Sequence, residues 1–139
     1  MGLASFSAIL DFAIRREEAT VAYLASAADG RPDRRDLLER LRGEAEKDLK
    51  TLRTILRENV TEMVMEPVEP LDEAAYESVV EPGGDAVLAA QSMIEKQHDF
   101  FRDAAQVINL REVKRAFEKL MARKSRLAEE IGKTAASSR

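Results

Sequence analysis

Apolar residues recur at the spacing of an α-helix in four long segments of this chain, and this periodicity constrains the fold more than any other feature. Side chains three or four residues apart share one face of a helix and must be buried against another element. The first segment stops at DGRP (29–32), and the second begins near Pro32, a residue that the first turn of a helix tolerates. The third starts near Asp85. Each segment has one stripe of residues that share a helix face. In the first two segments the stripes are Phe6, Leu10, Ala13, Glu17, Val21 and Leu24, and Leu38, Leu41, Ala45, Asp48, Leu52 and Leu56. In the third the stripe is Leu88, Gln91, Glu95, His98, Arg102 and Ala105, with Val87, Ile94, Phe101 and Ile108 beside it, and in the fourth it is Val113, Phe117, Leu120, Lys124, Leu127 and Ile131.

A long connection separates the second segment from the third. Pro67, Pro70, Pro82 and the pair Gly83-Gly84 rule out a continuous helix between them. Short turns within each pair of helices favour antiparallel hairpins, and the long connection allows the second hairpin to cross the bundle. We therefore predict one all-α domain over 1–139, a ferritin-like four-helix bundle. Its parts are hairpin one over about 5–60, a crossover over about 61–84 and hairpin two over about 85–133.

The composition agrees with long amphipathic helices, since 45% of the residues are hydrophobic and 35% are charged. A net charge of −4 argues against nucleic acid as the main partner. The chain has no cysteine, which excludes disulfides, thiolate zinc sites, iron–sulfur ligation and cysteine nucleophiles. The start of the chain reads as a poor signal peptide, and no apolar run approaches the length that spans a bilayer. We expect a cytoplasmic protein that does not enter membranes.

Each helical stripe contains one charged residue where the periodicity predicts an apolar one. These residues are Glu17, Asp48, Glu95 and Lys124, and each lies near the middle of its segment. A buried charge without a partner is too unfavourable to be incidental. Because mid-helix positions of antiparallel helices fall at a similar height, we expect three carboxylates and one lysine to meet in the bundle centre.

The two hairpins also look like copies of one another. Glu17 precedes an aromatic residue, Tyr23, by six positions, and Glu95 precedes Phe101 by the same distance. With AIRREEATVAY, LRGEAEKDL, MIEKQHDFF and FEKLMARKSRL in the four helices, the chain resembles the rubrerythrin branch of the ferritin-like superfamily over nearly its whole length.

This resemblance implies a two-iron site with one glutamate from helix one, one from helix three, and a Glu-x-x-His motif from each of helices two and four. Glu17 and Glu95 match the two single glutamates, and His98 stands at a further ligand position of helix three. The motif of helix two has become Ala45-x-x-Asp48, and that of helix four has become Lys124-x-x-Leu127. The resemblance therefore implies the fold but only a remnant of the iron site.

Three interpretations follow for the function. The first is a protein that is non-catalytic or binds at most one metal ion, most simply with no cofactor and with Lys124 as the buried ionic partner of the acids. The second is an atypical oxidoreductase or iron-handling protein, in which Glu17, Asp48, Glu95 and His98 hold one iron, manganese or zinc ion. The third is a scaffold for a larger protein partner. We also predict a homo-oligomer, most simply a dimer, because Leu3, Phe12 and Phe100 lie off the inner stripes.

Overall fold

The computed structural model describes residues 2–59, 67–77 and 85–137, and within these ranges the chain forms four long helices. Helix α1 spans Phe6–Gly30, α2 spans Arg35–Asn59, α3 spans Ala86–Val107 and α4 spans Arg111–Ser137. The predicted all-α class and the four helices are confirmed. None of the helices in the described ranges is long and apolar enough to cross a membrane.

Helices α1 and α3 begin at polar caps that the sequence supplies. The hydroxyl of Ser5 accepts a hydrogen bond from the backbone N–H of Ala8 at 3.1 Å. The carboxylate of Asp85 accepts bonds from the N–H groups of Val87 at 2.8 Å and Leu88 at 3.3 Å. Such caps satisfy donors that the first helical turn leaves without a partner. They fix the residues at which α1 and α3 begin.

A small antiparallel sheet, which the sequence did not predict, precedes α1 and occupies part of the connection. Strand β1 (Gly2–Ser5) pairs with strand β2 (Pro67–Asp72), with Leu3 opposite Leu71 and an irregularity before Ser5. A short 3-10 turn over Glu73–Tyr76 follows β2. The remainder of the predicted crossover, residues 61–66 and 78–84, lies outside the described residues.

Among the described residues, the core forms two hydrophobic clusters at opposite ends of the bundle. One contains the start of α1, the end of α2, the end of α3 and the start of α4, with Phe6, Ile55, Phe101 and Phe117 among its members. The other contains the end of α1, the start of α2, the start of α3 and the second half of α4, with Leu24, Leu38, Ile94 and Ile131 among its members.

The connection covers apolar residues that the sequence suggested were free for a partner. Leu3, Phe12 and Phe100 are all buried within the chain. The ring of Phe12 lies 5.0 Å from that of Phe100 and 6.5 Å from that of Tyr76, which belongs to the 3-10 turn. The interpretation of these three residues as an oligomer surface is therefore wrong, because the connection packs over them. The predicted homo-oligomer loses that support.

Candidate functional site

Between the two hydrophobic clusters lies a layer of polar side chains, one from each helix. It consists of Glu17 on α1, Asp48 on α2, Gln97 on α3 and Lys124 on α4. Their exposed fractions are 0%, 1%, 6% and 1%, so the layer is closed to solvent. We call these four residues the central cluster.

Lys124 is the cation at the middle of the central cluster. Its Nζ atom donates a hydrogen bond to Oε1 of Glu17 at 2.5 Å. The same Nζ atom lies 2.9 Å from Oδ2 of Asp48, an ion contact without the alignment of a hydrogen bond. One ammonium group thus joins the carboxylates of α1 and α2 from the side of α4.

Gln97 and Arg123 complete the surroundings of the two acids. The amide nitrogen of Gln97 donates a short hydrogen bond to Oε2 of Glu17, the oxygen that Lys124 does not contact. Nε of Arg123 lies 2.9 Å from Oδ1 of Asp48, and its Nη2 donates to Glu44 at 2.8 Å. Two buried carboxylates therefore face two cations, and the charges of Glu17, Asp48, Lys124 and Arg123 balance.

Burial and ion pairing act against each other on the protonation of the cluster. Burial raises the pKa of Glu17, although the neighbouring Lys124 ammonium acts to lower it. Burial acts to lower the pKa of Lys124, but the carboxylates of Glu17 and Asp48 outweigh burial and raise it above its ordinary value. The raised pKa of Lys124 keeps its ammonium group charged at neutral pH, where it donates to Glu17.

The predicted inward position of Glu95 is wrong, because its side chain is exposed on α3. The buried face of α3 runs through Ala90, Met93, Ile94, Gln97 and Phe101, and Glu95 lies outside that arc. The periodicity pointed to the stripe through Leu88, which is 49% exposed in the structure. The face that is buried contains small alanines and the polar Gln97, so its hydrophobic pattern is less distinct. Gln97, not Glu95, is the residue by which α3 reaches Glu17.

His98 also lies apart from the central cluster. Its Nδ1 atom is 3.0 Å from Oδ1 of Asp99, and its side chain is 29% exposed. Asp99 in turn lies 3.6 Å from the guanidinium of Arg102. The structure therefore brings Glu17, Asp48 and Lys124 together and leaves Glu95 and His98 outside the cluster, on the outer side of α3.

The central cluster does not fit a two-iron centre. Such a centre needs about six protein ligands, several of them bridging carboxylates. Here two carboxylates converge, and a lysine ammonium lies between them. In the described ranges, no three acidic or histidine side chains are grouped closely enough to hold a metal ion. The residues present form a charge-compensated cluster with an ammonium group where the resemblance implies metal.

Gln97, a member of the central cluster, and Arg123, its neighbour, were not predicted from the sequence. Arg123 meets Glu44 and Asp48 only because α2 and α4 pack against each other. Nothing in its local sequence therefore distinguishes it from other arginines on a helix surface. Gln97 could have been found from the three-residue spacing to Ile94 and the four-residue spacing to Phe101, which together place it on the core side.

No protein-family model matches the chain, and comparisons with curated proteins and with solved structures gave no match.

Proposed function

We propose that this chain is a rubrerythrin-like member of the ferritin-like superfamily in which a buried ionic cluster replaces the two-metal site. It acts as a non-catalytic protein and not as an oxidoreductase. One observation carries the proposal: Nζ of Lys124 lies 2.5 Å from Glu17 and 2.9 Å from Asp48 in a layer closed to solvent.

The placement of the helix ends supports the ferritin-like arrangement. The start of α1 shares a hydrophobic cluster with the end of α2, and the end of α1 shares the other cluster with the start of α2, as antiparallel helices would. The same holds for α3 and α4. Because α2 ends at one pole of the bundle and α3 begins at the other, the connection has to run the length of the bundle, which is typical of this superfamily.

The chemistry of the cluster supports the loss of metal. A lysine ammonium neutralises neighbouring carboxylates and donates hydrogen bonds to them, so it satisfies the same oxygen atoms that a divalent cation would bind. Binding a cation beside Lys124 would place two positive groups against the same two acids. Gln97 and Arg123 already occupy the outer oxygen atoms of those acids.

Elemental analysis of untagged protein, produced with iron, manganese and zinc available, tests the proposal. We expect metal far below one equivalent per chain, and the same content in Glu17→Gln and Glu95→Gln. Glu95→Gln is the matched control, because Glu95 is exposed on α3 and lies away from the cluster. Stoichiometric metal that is lost in Glu17→Gln and kept in Glu95→Gln would overturn the proposal.

A further inference from the structure

A groove of about 430 Å³ opens between α2 and α4, directly above the buried cluster. Its wall on α4 carries Arg115, Lys119 and Arg123, which follow one another at four-residue spacing and so share one helix face. The α2 side contributes the hydroxyl-bearing Thr51, and the apolar side chain of Leu120 contributes to the lining. The groove is thus a basic channel with an apolar surface.

The cations of this groove are only partly compensated. Arg115 and Lys119 are exposed, and neither makes an ion pair within the described part of the chain. Asp48, which also lines the groove, pairs with both Lys124 and Arg123, so the charge of Arg123 is engaged by Asp48 and by Glu44. Glu112 is the other acid of the lining. On a chain with a net charge of −4, the groove therefore presents two exposed cations, Arg115 and Lys119, that have no ion-pair partner among the described residues.

Arg123 links the groove to the cluster beneath it. Its side chain is 31% exposed, and its Nε atom lies 2.9 Å from Asp48 without the alignment of a hydrogen bond. One Nη atom donates to Glu44, which leaves further guanidinium donors for an anion. A second, smaller cavity of about 170 Å³ continues on the other side of Arg123, towards Arg126.

We propose that the groove between α2 and α4 binds a small polyanion, an organic phosphate or a polycarboxylate. Its anionic groups would be held by Arg115, Lys119 and Arg123, as guanidinium and ammonium groups bind phosphate and carboxylate through charge-assisted hydrogen bonds. Its carbon skeleton would lie against Ala116, the half-buried apolar residue of the lining. The proposal goes beyond the loss of metal argued above and stands independently of it.

A second cleft on the opposite side of α2 also carries basic residues, but its arginines have partners within the protein. That cleft, about 560 Å³ in volume, is lined by Lys50, Arg53 and Arg57. Arg53 pairs with Glu18 at 3.0 Å, and Arg57 donates to the hydroxyl of Thr54. Its arginines are therefore engaged within the protein, whereas Arg115 and Lys119 are not.

Titration of the full chain with pyrophosphate and, separately, with citrate tests the proposal by calorimetry and by NMR chemical shifts. We expect saturable binding of at least one of the two, with shifts concentrated on α4 around Arg115 and Lys119. The double variant Arg115→Gln/Lys119→Gln should weaken binding about tenfold or more, because it removes two charged donors. Tighter binding of pyrophosphate would identify a phosphate site, and tighter binding of citrate a carboxylate site.

The double variant Lys50→Gln/Arg57→Gln is the matched control. It removes the same charge from the other cleft and should leave the affinity unchanged. All four substituted side chains lie on helix surfaces, and circular dichroism would verify that both variants fold. Equal weakening in both variants would mean non-specific attraction and would overturn the proposal, as would the absence of saturable binding of both probes. Neither result bears on the metal content of the cluster.

Discussion

Lys124 is the ammonium group that joins the two buried acids of the central cluster, Glu17 and Asp48. Replacing it with methionine, which is similar in length, would keep much of the packing and remove the ammonium from both Glu17 and Asp48. Breaking a buried ion pair by removing one partner usually costs about 3–5 kcal/mol, because the remaining charge is left without compensation. We therefore expect Lys124→Met to lower the free energy of unfolding by about 3 kcal/mol or more in urea denaturation.

Two further variants show whether that loss comes from stranded charge. Arg53→Gln breaks the exposed pair with Glu18, whose side chains are 56% and 48% exposed, and should cost less than about 1 kcal/mol. Glu17→Gln/Asp48→Asn/Lys124→Met removes both acids along with the cation and should regain part of the lost stability. If Lys124→Met were as mild as Arg53→Gln, the lysine would not be holding the acids.

At the scale of secondary-structure elements, the 3-10 turn that follows β2 is fastened to α3 by a charged hydrogen bond. The hydroxyl of Tyr76 donates to Oδ2 of Asp103 at 2.7 Å, and Nε of Arg102 donates to the other oxygen at 2.9 Å. Burial acts to raise the pKa of Asp103, but the hydrogen bonds from Arg102 and Tyr76 outweigh burial and lower it. Burial, together with the bond to Asp103, raises the pKa of Tyr76.

This lowered pKa makes the attachment sensitive to acid. An acid with a lower pKa in the folded state contributes stability above its ordinary pKa of 3.8, and that contribution is lost as the pH falls through the folded value. We expect wild type to be more stable than Asp103→Asn at neutral pH, with the difference shrinking below pH 3.8 in urea denaturation. Tyr76→Phe should retain part of the dependence, because Arg102 still donates. Parallel stability curves for wild type and Asp103→Asn would contradict this account.

The helices of this chain could be predicted from the sequence because their apolar spacing and their ends are local features. Pro32 and Asp85 mark the starts of two helical segments within a residue or a turn of where the structure has them. The orientation of α3 could not be predicted as well, since its buried side mixes large apolar residues with small alanines and with Gln97, a polar residue that is buried because it contacts Glu17 of α1. The pairing of β1 with β2 joins residues far apart in the chain, so no local pattern signals it.

At the scale of the whole molecule, the central cluster divides one bundle into two apolar halves joined by a charge-balanced layer. Each helix contributes one polar residue to that layer, and the aromatic and aliphatic residues on either side keep solvent out. Glu17, Asp48 and Lys124 were predictable as a group because mid-helix positions of a bundle meet at one height. Arg123 was not, because its two partners lie on α2 and become neighbours only when α2 and α4 pack.

If the ammonium of Lys124 occupies the position of a metal ion, replacing it with a carboxylate should create a cation-binding site in the central cluster. The double variant Lys124→Glu/Gln97→Glu would place a carboxylate from each of the four helices in the central cluster, beside Glu17 and Asp48. Without metal, four buried carboxylates repel one another, so the variant should unfold at a lower temperature than wild type. Manganese or zinc should raise its melting temperature, with about 2.7 kcal/mol of stabilisation when the metal is at about 100 times its Kd.

The matched control for this variant is Lys50→Glu/Ser92→Glu, which makes the same change of charge at exposed positions of α2 and α3. Thermal unfolding of both variants and of wild type, with and without manganese or zinc, gives the comparison. We expect a metal-dependent rise in the cluster variant alone, since only there do the new acids face existing ones across a solvent-free layer. If the cluster variant folds cooperatively and neither metal raises its melting temperature, the ammonium of Lys124 does not occupy a position that a metal ion can take.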